Sequence, residues 1–295
     1  MIWVSLTFLA AFIWTLTDLL GKFVVDKEEK DTFLDSGITG LSMSALFILL
    51  PLAWGKVEIF SPLLPAIAAG GFYVLALASY YSGMSKEEVS RFSPTLSVST
   101  VFIAILAFLI LGEQFTAPVY LGIISTVLGA FLISLDDPQK SLEKMTSRKA
   151  FYLAALAALL FALRDISLKL ASNQISFWSI PFWIGTGSLV VSLSFLIGKK
   201  PDLRRKENGR GHLALMGLLS AAGYFVFSRA VSIGPVSLAS AVLRVKVFLV
   251  FFLSTVIARL HPEIIQEQLN KKTILQKAVA TGLIFSGVIL IQLFF

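Results

Sequence analysis

Residues 14–22 read WTLTDLLGK and residues 161–169 read FALRDISLK: an aromatic, an aspartate and a lysine fall at Trp14, Asp18 and Lys22, and again at Phe161, Asp165 and Lys169, 147 positions on. The same offset relates Ser90, Ser93 and Ser97 to Ser237, Ser240 and Arg244. One spacing that fits two separate segments, and equals half of a 295-residue chain, marks a tandem duplication.

The sequence around these stretches is apolar. Hydrophobic residues make up 56% and charged residues 15%, with a mean hydropathy of +0.83, whereas a soluble domain carries about 25% charged residues. Lipid is therefore the solvent this surface suits. Crossing a hydrocarbon core of roughly 30 Å takes about 20 apolar residues. Such runs lie at 2–25, 33–54, 62–84, 89–111 and 116–135, and again at 150–172, 176–198, 211–231, 236–258 and 273–295. The expected fold is an all-α integral membrane protein of ten transmembrane helices. Its two five-helix repeats, 1–138 and 148–295, form one structural unit. Charged segments at 26–31, 136–149, 199–210 and 259–272, and short breaks at 112–116 and 232–235, separate the spans. The first span has no basic region before it and reads as a retained helix rather than a signal peptide.

An odd number of spans per repeat sends the second copy into the membrane from the opposite face, giving inverted repeats about an in-plane pseudo-twofold axis. Lys140, Lys144, Arg148, Lys149, Lys199, Lys200, Arg204, Arg205, Lys206 and Arg210 gather in loops after odd-numbered spans, while the opposite loops hold only Lys56. Because basic loops stay cytoplasmic, the chain is expected in the cell membrane (inner or plasma), multi-pass, with both termini outside. The net charge of +7 follows mainly from this bias. It forms no basic patch interleaved with aromatics, so no nucleic-acid partner is expected. Cysteine is absent, which removes disulfides, thiolate metal sites and thiol catalysis together. His212 and His261 stand in or beside loops, and no HExxH, Gly-x-Ser-x-Gly or carboxylate cluster with ligand spacing occurs. The reading is a chain that is not an enzyme, with no catalytic residue, metal or cofactor.

Charge kept inside the spans needs a reason, because each such group costs a few kcal/mol at mid-bilayer unless it faces a polar interior or a partner. Lys22, Arg164, Lys169, Arg229, Arg244 and Lys246 stand there against Asp18 and Asp165, six minus two or +4. Asp18 with Lys22, and Asp165 with Lys169, stand at i, i+4, where side chains meet on one helix face. Such pairs either orient their helices or belong to a site, and Lys22, near a span end, also suits an interface anchor. On span nine Ser237, Ser240 and Arg244 make one polar stripe that should face a cavity, matched on span four by Ser90, Ser93 and Ser97 with Pro94. Lys246 is about 200° around the helix from Arg244, and is expected to pack or to pair, with Asp165 as one partner. Arg229, near a span end, is expected to reach the headgroups. Tyr73, Tyr80 and Tyr81 on span three, with Tyr224 and Phe227 on span eight, have spacings that suit either packing or a cavity wall.

The candidate substrate-binding set is Arg244, Lys169, Arg164, Asp165, Ser237, Ser240, Ser97, Tyr80, Tyr224 and Trp14. A positive cavity attracts anions, so the expected activity is export or exchange of a small anionic or zwitterionic metabolite. A lipid-linked substrate flippase, a cationic drug exporter and a non-transporting scaffold are the alternatives. Trp3, Trp54, Trp178 and Trp183 read as interface-belt residues. Gly122, Ser125, Thr126 and Gly129 on span five, and Ala278, Gly282 and Gly287 on span ten, allow close helix contact and suit a scaffold or a homodimer through these two helices. Pro262, Glu263, Ile264, Ile265 and Leu269 suggest a short interfacial helix.

Two five-helix repeats, an aromatic before a lysine in the first helix of each, Leu111-Gly112-Glu113 ending span four and a Gly-rich fifth helix together resemble the drug/metabolite transporter superfamily, in particular its EamA-like ten-helix members. The resemblance covers essentially the whole chain. The second copy departs from it, with Arg259-Leu260 in place of the Gly-Glu and Ala241 where span four has Pro94. What the resemblance implies is alternating access around a midplane cavity lined by helices one, three, four, six, eight and nine, without ATP hydrolysis. Members that move organic phosphates carry basic residues on helices six and nine, which Lys169 and Arg244 match. Their adjacent Lys-Arg pair is missing, since Val245 separates Arg244 from Lys246.

Overall fold

The structure is a computed structural model that describes residues 1–25, 32–54, 57, 63–84, 97–134, 148–198, 207–260 and 271–295. Its helices are α1 (Ile2–Val25), α2 (Thr32–Ala53), α3 (Leu64–Met84), α4 (Val98–Leu106, continued by a π-helical turn Ala107–Leu111), α5 (Ala117–Ser134), α6 (Arg148–Ser172), α7 (Ile180–Gly198), α8 (Glu207–Ile233), α9 (Val236–Val242), α10 (Val245–Leu260) and α11 (Lys271–Phe294). Among the described residues, eight helical stretches are long and apolar enough to cross a membrane, α9 and α10 counting as one, and two shorter apolar ones lie at Val98–Leu111 and Ala117–Leu132. In lipid every backbone polar group must be satisfied within the segment, which makes these runs helical. Their hydroxyls obey the same constraint. Thr7 donates to the Trp3 carbonyl at 2.8 Å, Thr15 to Ala11 at 2.7 Å and Ser44 to Gly40 at 2.7 Å, one turn back in each case.

Helix partners exchange under the 147-residue offset. α3 packs on α6 as α8 packs on α1, and α3 packs on α7 as α8 packs on α2. The α4–α6 contact likewise has its counterpart in α10–α1. The remaining large contacts join a helix to its own equivalent. Gly37 lies against Leu196 and Gly185 against Phe47, so α2 and α7 run antiparallel. Gly122 meets Gly287 and Gly129 meets Ala280, so α5 and α11 do too.

Several expectations change at this level. Span four does not run to its end as an α-helix: it passes into the π-helical turn and stops at Gly112, whose φ of 69° suits glycine. Span nine is broken at Arg244, where the Arg244, Lys246 and Val247 amides bond three residues back rather than four. On α11 the close face runs through Ala280, Ile284 and Gly287, while Ala278 is exposed and open space surrounds Gly282. The small residues of α5 and α11 thus serve contact within the chain, with Ser125 also donating to the Leu283 carbonyl at 2.8 Å. Trp3 is buried against Gly234 and Phe295 rather than standing in a belt. Trp54 and Trp178 are exposed and stack edge-to-face at 5.1 Å. Asp35, Arg91 and Lys277 also fall inside the apolar runs, so the charge count there is eight basic minus three acidic, +5, with the sign unchanged. Lys277 is buried, its ammonium 4.1 Å from the Phe251 ring centroid. Ser90, Ser93, Pro94, the interfacial segment 262–269 and the side chain of Lys22 lie outside the described residues.

Candidate functional site

Four helices meet around one side chain. α1 supplies Trp14, whose indole N–H donates to the Ser220 carbonyl of α8 at 3.3 Å. α3 supplies Tyr73, stacked on Tyr224 of α8 at 5.8 Å, and α6 supplies Phe161, Arg164 and Asp165. The Arg164 guanidinium carbon lies 5.0 Å from the Tyr224 ring centroid, 5.1 Å from Phe161, 5.6 Å from Tyr73 and 5.7 Å from Trp14. Each ring offers its negative face to a cation. Arg164 Nε and a terminal nitrogen both reach Asp165 Oδ1 at 2.7 Å, and both residues are buried. The Tyr224 hydroxyl, fully buried beside this pair, has no hydrogen-bond partner among the described residues.

The repeat explains why neighbours in sequence pair here. In the first copy Asp18 is matched across helices by Lys246 of α10 at 2.8 Å, a partly exposed pair. Subtracting 147 from Lys246 gives Ser99, and from Arg164 gives Thr17. Asp165 therefore has a serine where Asp18 has an ammonium group, and its own neighbour Arg164 supplies the missing cation. Lys246 pairs with Asp18 and not with Asp165, which corrects the partner suggested for it.

Arg244 sits at the break in span nine. Its backbone N–H bonds to Ala241, which leaves the Ser240 carbonyl to accept from Arg244 Nε at 3.4 Å, and a terminal nitrogen reaches Ser99 Oγ at 3.4 Å. Arg244 is also within electrostatic reach of Asp165 and Arg164. Ser240 and Thr100 share a hydrogen bond of 3.2 Å, and Ser97 is buried at the start of α4. Ser99 and Thr100 are polar residues that sequence reasoning passed over. The offset that maps Lys246 onto Ser99 was the available signal.

Lys169 and Ser237 belong to a second cluster. The Lys169 ammonium donates to the Val231 carbonyl at 2.8 Å and the Gly234 carbonyl at 2.9 Å, closing the C-terminal end of α8. It is not spent on Asp165, so the i, i+4 pair expected in the second repeat does not form. Glu113, just past the π-turn, accepts from the Val236 amide at 2.8 Å, from the Ser237 amide at 3.2 Å and from the Ser237 hydroxyl, capping α9. The turn between α8 and α9 is thus held from both sides, a cation on carbonyls and an anion on amides. Hydrogen bonds to charged groups contribute about 1.5–3 kcal/mol, so Lys169→Met is expected to lower stability by about that much, read in a detergent melt. An unchanged melt would show that the turn stands without the ammonium group. Tyr80 lies two turns along α3 from Tyr73, against Tyr81 at 5.7 Å and within electrostatic reach of Asp18. Arg229 is exposed, with its guanidinium 5.1 Å from the Phe177 ring centroid. Of the ten candidate residues, Trp14, Arg164, Asp165 and Tyr224 converge, with Arg244 and Ser240 beside them; Lys169, Ser237, Ser97 and Tyr80 do not join that cluster.

A model of the EamA-like transporter family matches residues 1–135 and again 148–293, so one family unit occurs twice and fills nearly the whole chain. The chain belongs to the EamA-like transporter family. This EamA-like protein is also similar in fold to a protein of known crystal structure, with a TM-score of 0.74 at 14% identity over 99% of this chain and 97% of the other. A search of curated proteins by sequence found no match. Membership makes the chain a multi-pass membrane protein of a transporter family, with its apolar helices as the spans.

Proposed function

We propose that this EamA-like protein is a secondary transporter that moves a small anionic or zwitterionic metabolite by alternating access. Ten spans, in two inverted five-helix repeats with both termini outside, rock around the cluster at Arg164, Asp165 and Arg244. The antiparallel packing of α2 on α7 and of α5 on α11 supports the inversion, since each helix runs against its own repeat equivalent. The observation that carries the substrate class is the buried Arg164–Asp165 pair with a second guanidinium, Arg244, held by Ser240 and Ser99 within electrostatic reach of it, among helices drawn from both repeats. A carboxylate or phosphate on the substrate would be met by Arg244 with the Ser99 and Ser240 hydroxyls, and an ammonium group by Asp165. Organic cations would face two arginines.

The test is a melt of the purified protein against matched anionic, zwitterionic and cationic metabolites. A ligand at about 100 times its Kd stabilises the folded state by about 2.7 kcal/mol. Arg244→Ala is expected to abolish the shift given by the stabilising anion or zwitterion, and to abolish its flux into proteoliposomes. Stabilisation by cations alone would sink the charge argument.

A further inference from the structure

Arg164 makes its ion pair with its own neighbour rather than with a carboxylate on another helix, and its guanidinium lies among four aromatic rings contributed by α1, α3, α6 and α8. Rings presented to a positive charge, with a carboxylate beside them, are the chemistry by which proteins hold organic cations. We propose that Trp14, Tyr73, Phe161, Tyr224 and Asp165 form an organic-cation site whose resident occupant is Arg164, and that this tethered cation determines specificity by excluding free ones.

Three observations support the assignment. All four ring contacts fall within the range at which cation–π attraction operates. Asp165 is buried with both of its contacts to Arg164 at 2.7 Å, so the pair neutralises itself within the box. The Tyr224 hydroxyl is fully buried with no hydrogen-bond partner among the described residues, a polar atom in the wall that Arg164 leaves unsatisfied. The first repeat sets the contrast: Thr17 stands in place of Arg164, and Asp18 there receives its cation from a different helix.

The consequence for transport rests on the transporter reading; the site itself does not. The experiment is chemical rescue of Arg164→Ala with methylguanidinium and tetramethylammonium chloride at millimolar concentrations, against sodium chloride at equal ionic strength. The variant is expected to melt lower than the wild type and to recover saturably with either organic cation, whereas the wild type gains nothing beyond the salt control. Arg164→Ala/Asp165→Asn is expected to bind tetramethylammonium about tenfold more weakly, the equivalent of about 1.4 kcal/mol. If Arg164→Ala does not fold, the double variant, which buries no unpaired charge and keeps the rings, carries the test through its own saturable shift. Equal shifts in variant and wild type, or none beyond salt, would overturn the proposal. Uptake of tetramethylammonium by proteoliposomes of the variant alone would extend the site to transport. Binding without uptake would uphold the site and count against the transporter reading instead.

Discussion

Asp165→Leu is expected to destabilise the protein by about 3–5 kcal/mol, the range seen when one partner of a buried ion pair is removed. The reason is what remains behind. Arg164 would keep its charge in a site walled by Trp14, Tyr73, Phe161 and Tyr224, and cation–π attraction of about 2 kcal/mol when desolvated does not offset the lost carboxylate. Arg164→Met/Asp165→Leu should recover most of the loss, because removing both charges leaves an apolar core of similar volume. Denaturant titration in detergent checks both variants. A single variant as stable as the wild type would mean that the guanidinium has another anion within reach.

Gly187→Val and Gly70→Val are expected to be nearly as damaging, by about 3 kcal/mol, at or beyond the upper end of ordinary overpacking. A Cβ on Gly187 of α7 would strike the Ile67 carbonyl of α3, and one on Gly70 of α3 would strike the Ile184 carbonyl of α7. Both obstacles are backbone, so no side-chain rotation relieves them. The offset places Gly40 and Gly217 at the equivalent positions, and a Cβ on Gly217 would strike the Thr39 carbonyl of α2. Gly217→Val should therefore behave like Gly70→Val, whereas Gly282→Val, in open space on α11, should leave the melt unchanged. Equal tolerance at Gly70 and Gly282 would contradict the close approach of α3 and α7.

Much of this was legible from residues alone because its causes are local or periodic. Apolar runs become helices wherever the backbone has no water to bond, and a fixed offset between marked residues exposes a duplication without any contact being known. Among the cluster residues, Arg164, Asp165 and Arg244 were marked by the cost of charged groups in lipid, Trp14 by the repeated stripe and Tyr224 by its spacing on span eight. Their partners were not. Spacing along one helix suggested Asp165 with Lys169, yet i, i+4 proximity contributes only about 0.2–0.5 kcal/mol, less than Lys169 obtains from the Val231 and Gly234 carbonyls at the open end of α8.

The sequence by itself determined the membrane class, the doubled unit and the residue types that must be kept from lipid, since composition and periodicity set those. Only the tertiary structure decided which charge meets which. Asp18 takes Lys246 from α10, Asp165 takes Arg164, and Glu113 caps α9 from the far side of the π-turn. Those choices depend on helices far apart in the chain lying side by side, and on Ser99 standing where a second lysine would have made the two halves alike.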